Sequence, residues 1–218
     1  MSLGLDPYIP GRYLLQALAS GLLREDSEQQ IEEFLKSQGL SLQALEHTDS
    51  RFPIKWISHL IPKNSAISPF KNSAISPLLL AVEFGNLAKL TSQGDLSLVL
   101  MTSANVREAL NAACYLRLHS NAVTVDFRET QAAGYLIFDI KTGGKFTDEV
   151  LLYYSLAALR RLLYIITKQH PACTTKVAAE KPPEFEEFTL NNESEWKFNQ
   201  PINCLKLDKV FLDTPRAC

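Results

Sequence analysis

Through the first half of the chain, apolar residues recur three and four positions apart, the spacing of one face of an α-helix. Residues 11–23, GRYLLQALASGLL, place Tyr13, Leu14, Ala17, Leu18 and Leu22 on one stripe. Residues 27–39, SEQQIEEFLKSQG, turn Ile31, Phe34 and Leu35 toward a core, and Gly39 supplies the residue that commonly ends a helix. SLQALEH, residues 41–47, predicts a short helical turn. In FPIKWISHLI, residues 52–61, Pro53 stands near the first helical position, and Trp56, Ile57, Leu60 and Ile61 face inward. PLLLAVEFG, 77–85, predicts a helix stopped at Gly85, and GDLSLVLMTS, 94–103, predicts another. The helix with the strongest signals is NVREALNAACYLRLHS, 105–120. Asn105 caps it and Glu108 stands three residues later, where a capping box places its acid.

The period changes at residue 121. NAVTVDFRE alternates Val123, Val125 and Phe127 with polar neighbours, the two-residue repeat of a strand. After the short link TQAAG comes GYLIFDI, so residues 123–140 read as an antiparallel hairpin. KTGGK, 141–145, breaks the chain, and a long helix follows from about Thr147 to Lys168, with Val150, Tyr154, Ala157 and Leu162 among its apolar positions. TKVAA, 175–179, is a candidate strand, and the acidic stretch PPEFEEFTLNNESE, 182–195, a loop or short helix. EWKFNQPINCLKLD, 195–208, reads as two short strands around a Gln200-Pro201 turn. The expected fold is α+β: a helical N-terminal part, residues 1–120, packed with a small antiparallel sheet and one long helix in residues 121–218, the two forming one compact domain.

One block of eight residues is written twice, in KNSAISPFKNSAISPL, 63–78, with only its last residue changed. Each copy ends in Ser-Pro, an N-cap followed by a first-turn proline. The second copy runs into Leu78, Leu79, Leu80, Ala81 and Val82, which have much to bury, and the first runs into Phe70, Lys71, Asn72 and Ser73, which have little. A proline inside a helix costs about 3 kcal/mol, so one helix cannot comfortably contain both Pro69 and Pro77. The expectation is that the helix starts at the second copy and the first copy is an exposed loop. A tandem duplication in a surface connection is cheap to tolerate, since each doubling of loop length costs only ~0.6 kcal/mol.

Composition narrows the chemistry. Of 218 residues, 46% are hydrophobic and 21% charged, ordinary for a globular protein with a real core. Twenty-two Lys and Arg face twenty-four Asp and Glu, a net charge of −2. A chain built to grip phosphates carries a basic excess, so nucleic acid is not expected as this chain's own ligand. Cys114, Cys173, Cys204 and Cys218 are scattered without a CxxC pair, and His47, His59, His119 and His170 have no HxxH or HExxH spacing, so neither metal nor cofactor is expected. No basic segment followed by an apolar run opens the chain, and LLYYSLAALRRLLYIITK, 151–168, is interrupted by Arg160 and Arg161, so it reads as a buried helix rather than a membrane span. A cytoplasmic protein is the simplest expectation. Gly143 and Gly144 precede a helix start, where N–H groups can hold an anion, though a plain strand-to-helix turn accounts for them as well. No nucleophile–base pair accompanies that turn.

RFPIKWISHLI followed by PLLLAVEFGNL, then LVLMTSANVREALNAACYLRLHSNAVTVDFRE and YLIFDI, resembles the N-terminal effector domain of one branch of AraC-type transcription regulators. Ser103, Glu108, Ala109, Leu110, Tyr115 and the 123–140 hairpin carry that likeness. The tail EWKFNQPINCLKLDKVFLDTP resembles the family's ending through Trp196, Phe198, Asn203, Leu205, Leu207, Leu212 and Pro215. The resemblance spans residues 13–215 and rests on the order of elements more than on any one motif.

That resemblance implies a non-enzymatic regulatory domain that senses a small-molecule effector, associates as a homodimer, and reaches DNA only through a C-terminal pair of helix-turn-helix units beyond Cys218. An effector pocket is expected between the sheet and the long helix, with Tyr135, Tyr154, Trp196 and Phe198 as its walls. The alternative is a protein-association module with no small-molecule ligand. A small enzyme using the KTGGK turn as an anion site is the third reading.

Overall fold

The computed structural model describes residues 7–19, 25–47, 50–57, 76–115, 122–183, 185–186 and 195–217. A short strand, β1 (Tyr8–Pro10), opens it and pairs antiparallel with β2 (Arg51–Pro53), Ile9 standing opposite Phe52. Between them lie α1 (Gly11–Ala19), α2 (Glu25–Ser37) and α3 (Leu42–Glu46). Helix α2 ends as its sequence predicts: Gly39 takes a φ of 73°, and Leu40 N–H reaches back to the Leu35 carbonyl at 2.9 Å. That is the left-handed stop that lets orphan carbonyls find donors. Ser41 caps α3, its hydroxyl accepting from Ala44 N–H at 3.2 Å.

The stretch at Pro53 turns helical later than expected. Pro53 closes β2, a 3-10 turn, Ile54–Trp56, follows, Ile57 is helical, and residues 58–61 of the expected helix lie outside the described residues. Neither proline-containing strand is long enough to show a period, which is why the pattern hides them. Of the doubled block, only residues 76–78 lie within the described part, and they behave as expected. Helix α4 (Pro77–Asn86) starts at the second copy, with Pro77 in its first turn and the Ser76 hydroxyl accepting from Leu79 N–H at 3.3 Å. Leu80, Ala81 and Val82 are buried. The first copy lies outside the described residues.

Helices α5 (Asp95–Thr102) and α6 (Val106–Tyr115) follow. At the start of α6 the Asn105 side chain accepts from Glu108 N–H at 2.9 Å, and the Glu108 carboxylate reaches one residue further back than a standard box, to Ala104 N–H at 2.7 Å. Then come β3 (Val123–Glu129) and β4 (Ala133–Ile140), paired antiparallel with Val123 opposite Ile140. Helix α7 (Lys145–Thr167), the longest, leads to β5 (Cys173–Lys176), β6 (Glu195–Lys197), β7 (Cys204–Asp208) and a closing turn of helix, α8 (Lys209–Leu212).

These strands form one sheet in the order β3-β4-β7-β5-β6. Strands β6 and β7 were expected to pair as a hairpin and do not. Strand β5 lies between them, antiparallel to β7 and parallel to β6. The loop around Gln200-Pro201 wraps the end of β5 instead: Gln200 N–H donates to Val177 O at 3.0 Å, and the Asn203 side chain accepts from Ala178 N–H at 2.8 Å. Asn199 N–H likewise donates to Ala179 O at 3.0 Å, and the Asn203 carbonyl accepts from Phe138 N–H at 2.9 Å.

One face of the sheet carries Val125, Phe138, Leu205, Thr175 and Trp196 and is buried. Helix α7 lies against that face. The opposite face carries Asp126, Arg128, Tyr135, Lys176, Lys197 and Lys206, all at least partly exposed. On its other side α7 packs against α4, so it is the shared middle of the fold. Gly85 makes that crossing possible: a Cβ there would meet the Tyr154 carbonyl oxygen and Ala157 Cβ, each at 2.6 Å. Helix α7 has the length, 23 residues, and the apolar content to cross a membrane, yet 67% of its most apolar stretch is buried inside the protein. The core helix of the fold accounts for that composition. Away from it, Arg107 on α6 holds Glu129 at 2.9 Å and also pairs with Asp213, tying α6 to the hairpin and the C-terminal turn.

Candidate functional site

The four aromatic residues expected to line one pocket are placed in three different surroundings. Tyr135 stands on the outer face of the sheet, with the Lys176 ammonium 6.0 Å above its ring. The sheet itself therefore separates it from α7. Trp196 and Phe198 do come together, with ring centroids 6.4 Å apart, but in a filled cluster. Tyr153 stacks on Trp196 at 5.8 Å and 11°, and Phe185 packs against Tyr153 at 5.1 Å and Phe198 at 5.4 Å. These rings pack on the sheet side of α7, and none of them lines the two spaces described next.

Tyr154 points elsewhere. One helical step is about 100°, so consecutive residues on α7 leave it in different directions. Tyr154 meets Tyr13 of α1, with centroids 5.5 Å apart and planes at 48°. Beside this pair lies a partly open cavity of about 110 Å³, bordered by β1, α1, α2, β2, α4 and α7. Its walls are mainly aliphatic and aromatic, including Ile31, Phe52, Ala81, Phe84 and Val150. Two alanines, Ala17 and Ala81, stand where a larger side chain would fill it. A second space of about 60 Å³ shares Ile9, Tyr13, Leu151 and Tyr154 with the first. The tyrosine pair is thus the partition between the two.

Polar groups at the partition form a short chain. The Tyr13 hydroxyl donates to Gln93 Oε1 at 2.9 Å, and Gln93 Nε2 donates to the Ser92 hydroxyl at 3.1 Å. Ser92 in turn donates to Gln16 Oε1 at 2.5 Å, and Gln16 Nε2 donates to the Leu87 carbonyl at 2.9 Å. The Tyr154 hydroxyl is buried and has no partner in hydrogen-bonding geometry. Burial pushes the Tyr154 phenol well above the ordinary tyrosine range, opposed weakly by the nearby Gln93 amide. Burial does the same to Tyr13, reinforced by Tyr154 and opposed by Arg12. A buried phenol keeps its proton because the phenolate would lose its hydration.

Sequence spacing marked Tyr13 and Ala17 as members of a helical stripe, not as cavity walls. Gln93 carried no signal at all, because its value lies in reaching α1 from eighty positions away in the sequence. Arg160 and Arg161 do not share a site. Arg161 lies over the Tyr164 ring at 5.2 Å, and Arg160 lies beside the Cys173 thiol, whose ionisation burial disfavours more than the arginine helps.

The KTGGK turn is a strand-to-helix connector with its own internal acid. Gly143 has a φ of 90°, which a side chain would disfavour. Asp148 in the first turn of α7 accepts from both Thr142 N–H and the Thr142 hydroxyl at 2.7 Å. The carboxylate already sits at the helix end where an anion would be drawn. Among the described residues no three His, Cys, Asp or Glu side chains gather to hold a metal.

Comparison with known proteins adds a family and a fold. The sequence model described as the arabinose-binding domain of AraC transcription regulator, N-terminal, matches residues 30–216. No curated protein matches the sequence. Among solved structures, that of the transcriptional regulator CdpR from Pseudomonas aeruginosa is similar, with a TM-score of 0.59 at 14% identity. The likeness covers 89% of this chain, which spans 59% of the length of that regulator's chain.

Proposed function

From the premise that this chain belongs to the family of arabinose-binding, N-terminal domains of AraC transcription regulators, we propose that it is the effector-sensing domain of such a regulator. On this reading it works in the cytoplasm as part of a dimer, and helix-turn-helix units encoded beyond this sequence contact DNA. The observation that carries the proposal is the apolar cavity beside Tyr13 and Tyr154. It lies where the N-terminal helices meet α7, and the other side of α7 carries the sheet. A ligand that favours one spacing of α1 and α4 against α7 shifts the population of that arrangement. The bias is then available to whatever docks on the domain. Coupling of this kind needs differential affinity, not catalysis.

The test is a thermal-shift panel of sugars, amino acids, and aromatic and aliphatic metabolites on the purified chain. A ligand whose stabilising effect vanishes in Ala17→Leu supports the proposal. A panel without any response overturns it.

One observation favours a second reading, a protein-association module without a ligand. Leu98 and Met101 stand one turn apart on α5 and are 65% and 50% exposed. Side chains of that size at neighbouring positions on a helix are the kind of surface a partner covers. A dimer by analytical ultracentrifugation that Leu98→Lys dissociates, together with a silent ligand panel, is the outcome expected of the module.

A further inference from the structure

The wall chemistry of the cavity narrows its ligand, an inference that rests on the effector-site reading above. Among the described residues thirteen line the wall, of which three carry a polar side chain, Tyr13, Gln16 and Tyr154, and none is charged. Tyr13 spends its proton on Gln93 at 2.9 Å. Gln16 uses both ends of its amide, on the Leu87 carbonyl and the Ser92 hydroxyl. The Tyr154 hydroxyl is buried and without a hydrogen-bond partner, the one uncommitted polar group among them. We infer that the cavity takes a compact, uncharged, hydrocarbon-like ligand, or the alkyl or aryl end of a larger one, and does not take a sugar.

The reason is desolvation. A sugar brings several hydroxyls, each of which gives up water on entry and must find a new partner or destabilise the complex. Among the described residues the wall offers one uncommitted polar group, the Tyr154 hydroxyl, too few for the several hydroxyls of a sugar. A carboxylate or ammonium fares worse, with no opposite charge among the described wall residues. An apolar ligand gives up nothing polar and replaces a poorly filled space with dispersion contacts. The size agrees: an apolar cavity of about 150 Å³ in another protein stays dry and holds benzene, and this one measures about 110 Å³. A ligand longer than one ring has to part Tyr13 from Tyr154, opening the 60 Å³ space beyond them.

Toluene and L-arabinose are the two probes, each added to the purified chain while the unfolding midpoint and the methyl NMR signals of Ala81, Val150 and Ile31 are followed. Toluene at ten times its Kd is expected to raise the midpoint by about 3–5 °C and to shift those methyl signals. Ala17→Leu is expected to abolish both effects, and Tyr154→Phe to keep both. If Ala17→Leu does not fold, Ala81→Val narrows the same space. Arabinose binding that the filling variant removes overturns the ligand class and leaves the effector site standing. Silence from both probes overturns the site as well. Toluene stabilisation that survives the filling variant, or that Tyr154→Phe removes from a folded protein, also overturns the inference.

Discussion

Tyr153 and Tyr154 are neighbours on α7, yet they serve two differently built sides of the molecule. Tyr153 is fully buried against Phe185 and Trp196, flat rings that stack and tilt to close the space. Tyr154 shares its side with Ala17, Ala81 and aliphatic residues from several elements meeting at angles, and a cavity remains. Both sides are apolar, so hydrophobicity does not distinguish them. Packing does. Interiors reach crystal-like density when shapes interlock, and on the sheet side Tyr153, Phe185 and Trp196 pack ring against ring with centroids 5.1–5.8 Å apart. On the helical side two alanines leave a gap while Gly85 draws the α4 and α7 backbones close. One side of the helix carries a packed aromatic cluster, and the other borders a cavity.

The sharpest way to break this comparison is to truncate an aromatic on each side. Trp196→Ala removes the centre of the filled cluster and is expected to cost about 3–5 kcal/mol in urea unfolding. Tyr154→Ala enlarges a space that already exists and is expected to cost clearly less. Equal losses would mean that the two sides are packed alike. Next in size is Gly85→Ala, in which a new Cβ would meet backbone at 2.6 Å. Overpacking should outweigh the helix-propensity gain and leave the protein about 1–2 kcal/mol less stable. A neutral or stabilising result would show that the crossing has slack.

Filling the cavity tests the other side. Ala17→Leu is expected to stabilise the ligand-free protein by about 1 kcal/mol, where the same addition to a dense core destabilises. The smallest effect is alkaline. Tyr13 and Tyr154 hold their protons more tightly folded than unfolded. Their contribution is therefore full below pH ~10 and is lost as pH rises beyond the ordinary tyrosine value. Phenolate absorbance should show two late-titrating tyrosines, and Tyr13→Phe with Tyr154→Phe should flatten the fall in stability above pH ~10.

Local signals in the chain were reliable where a side chain acts on its own turn. Ser41, Ser76 and Asn105 cap helices because a hydroxyl or amide two or three residues away from free N–H groups has little else to reach. Gly39 ends α2 for the same local reason. The doubled block resolves itself at Ser76-Pro77, where a cap meets an apolar run worth burying. The long helix and the first hairpin are equally legible, because each repeats its period over seven residues or more.

The candidate site was legible only in part. Tyr154 was identified by its size and position, and it does border the cavity. Tyr135, Trp196 and Phe198 look the same in sequence, but an aromatic side chain does not announce which face of a sheet it takes or whether its neighbours fill the space. The pairing of β5 with β6 and β7 was hidden too, since adjacency in sequence favours a hairpin and the competing partner comes from twenty residues earlier.

What the sequence determined by itself is the longer elements, their caps and the apolar faces they must bury, because these depend on interactions within a few residues. The tertiary structure alone decided the strand order, the separation of Tyr153 from Tyr154, and the cavity between Ala17, Ala81 and Tyr13. A void is the difference between the shapes of five or six elements brought together, and no stretch of the chain encodes a difference between surfaces it does not contain.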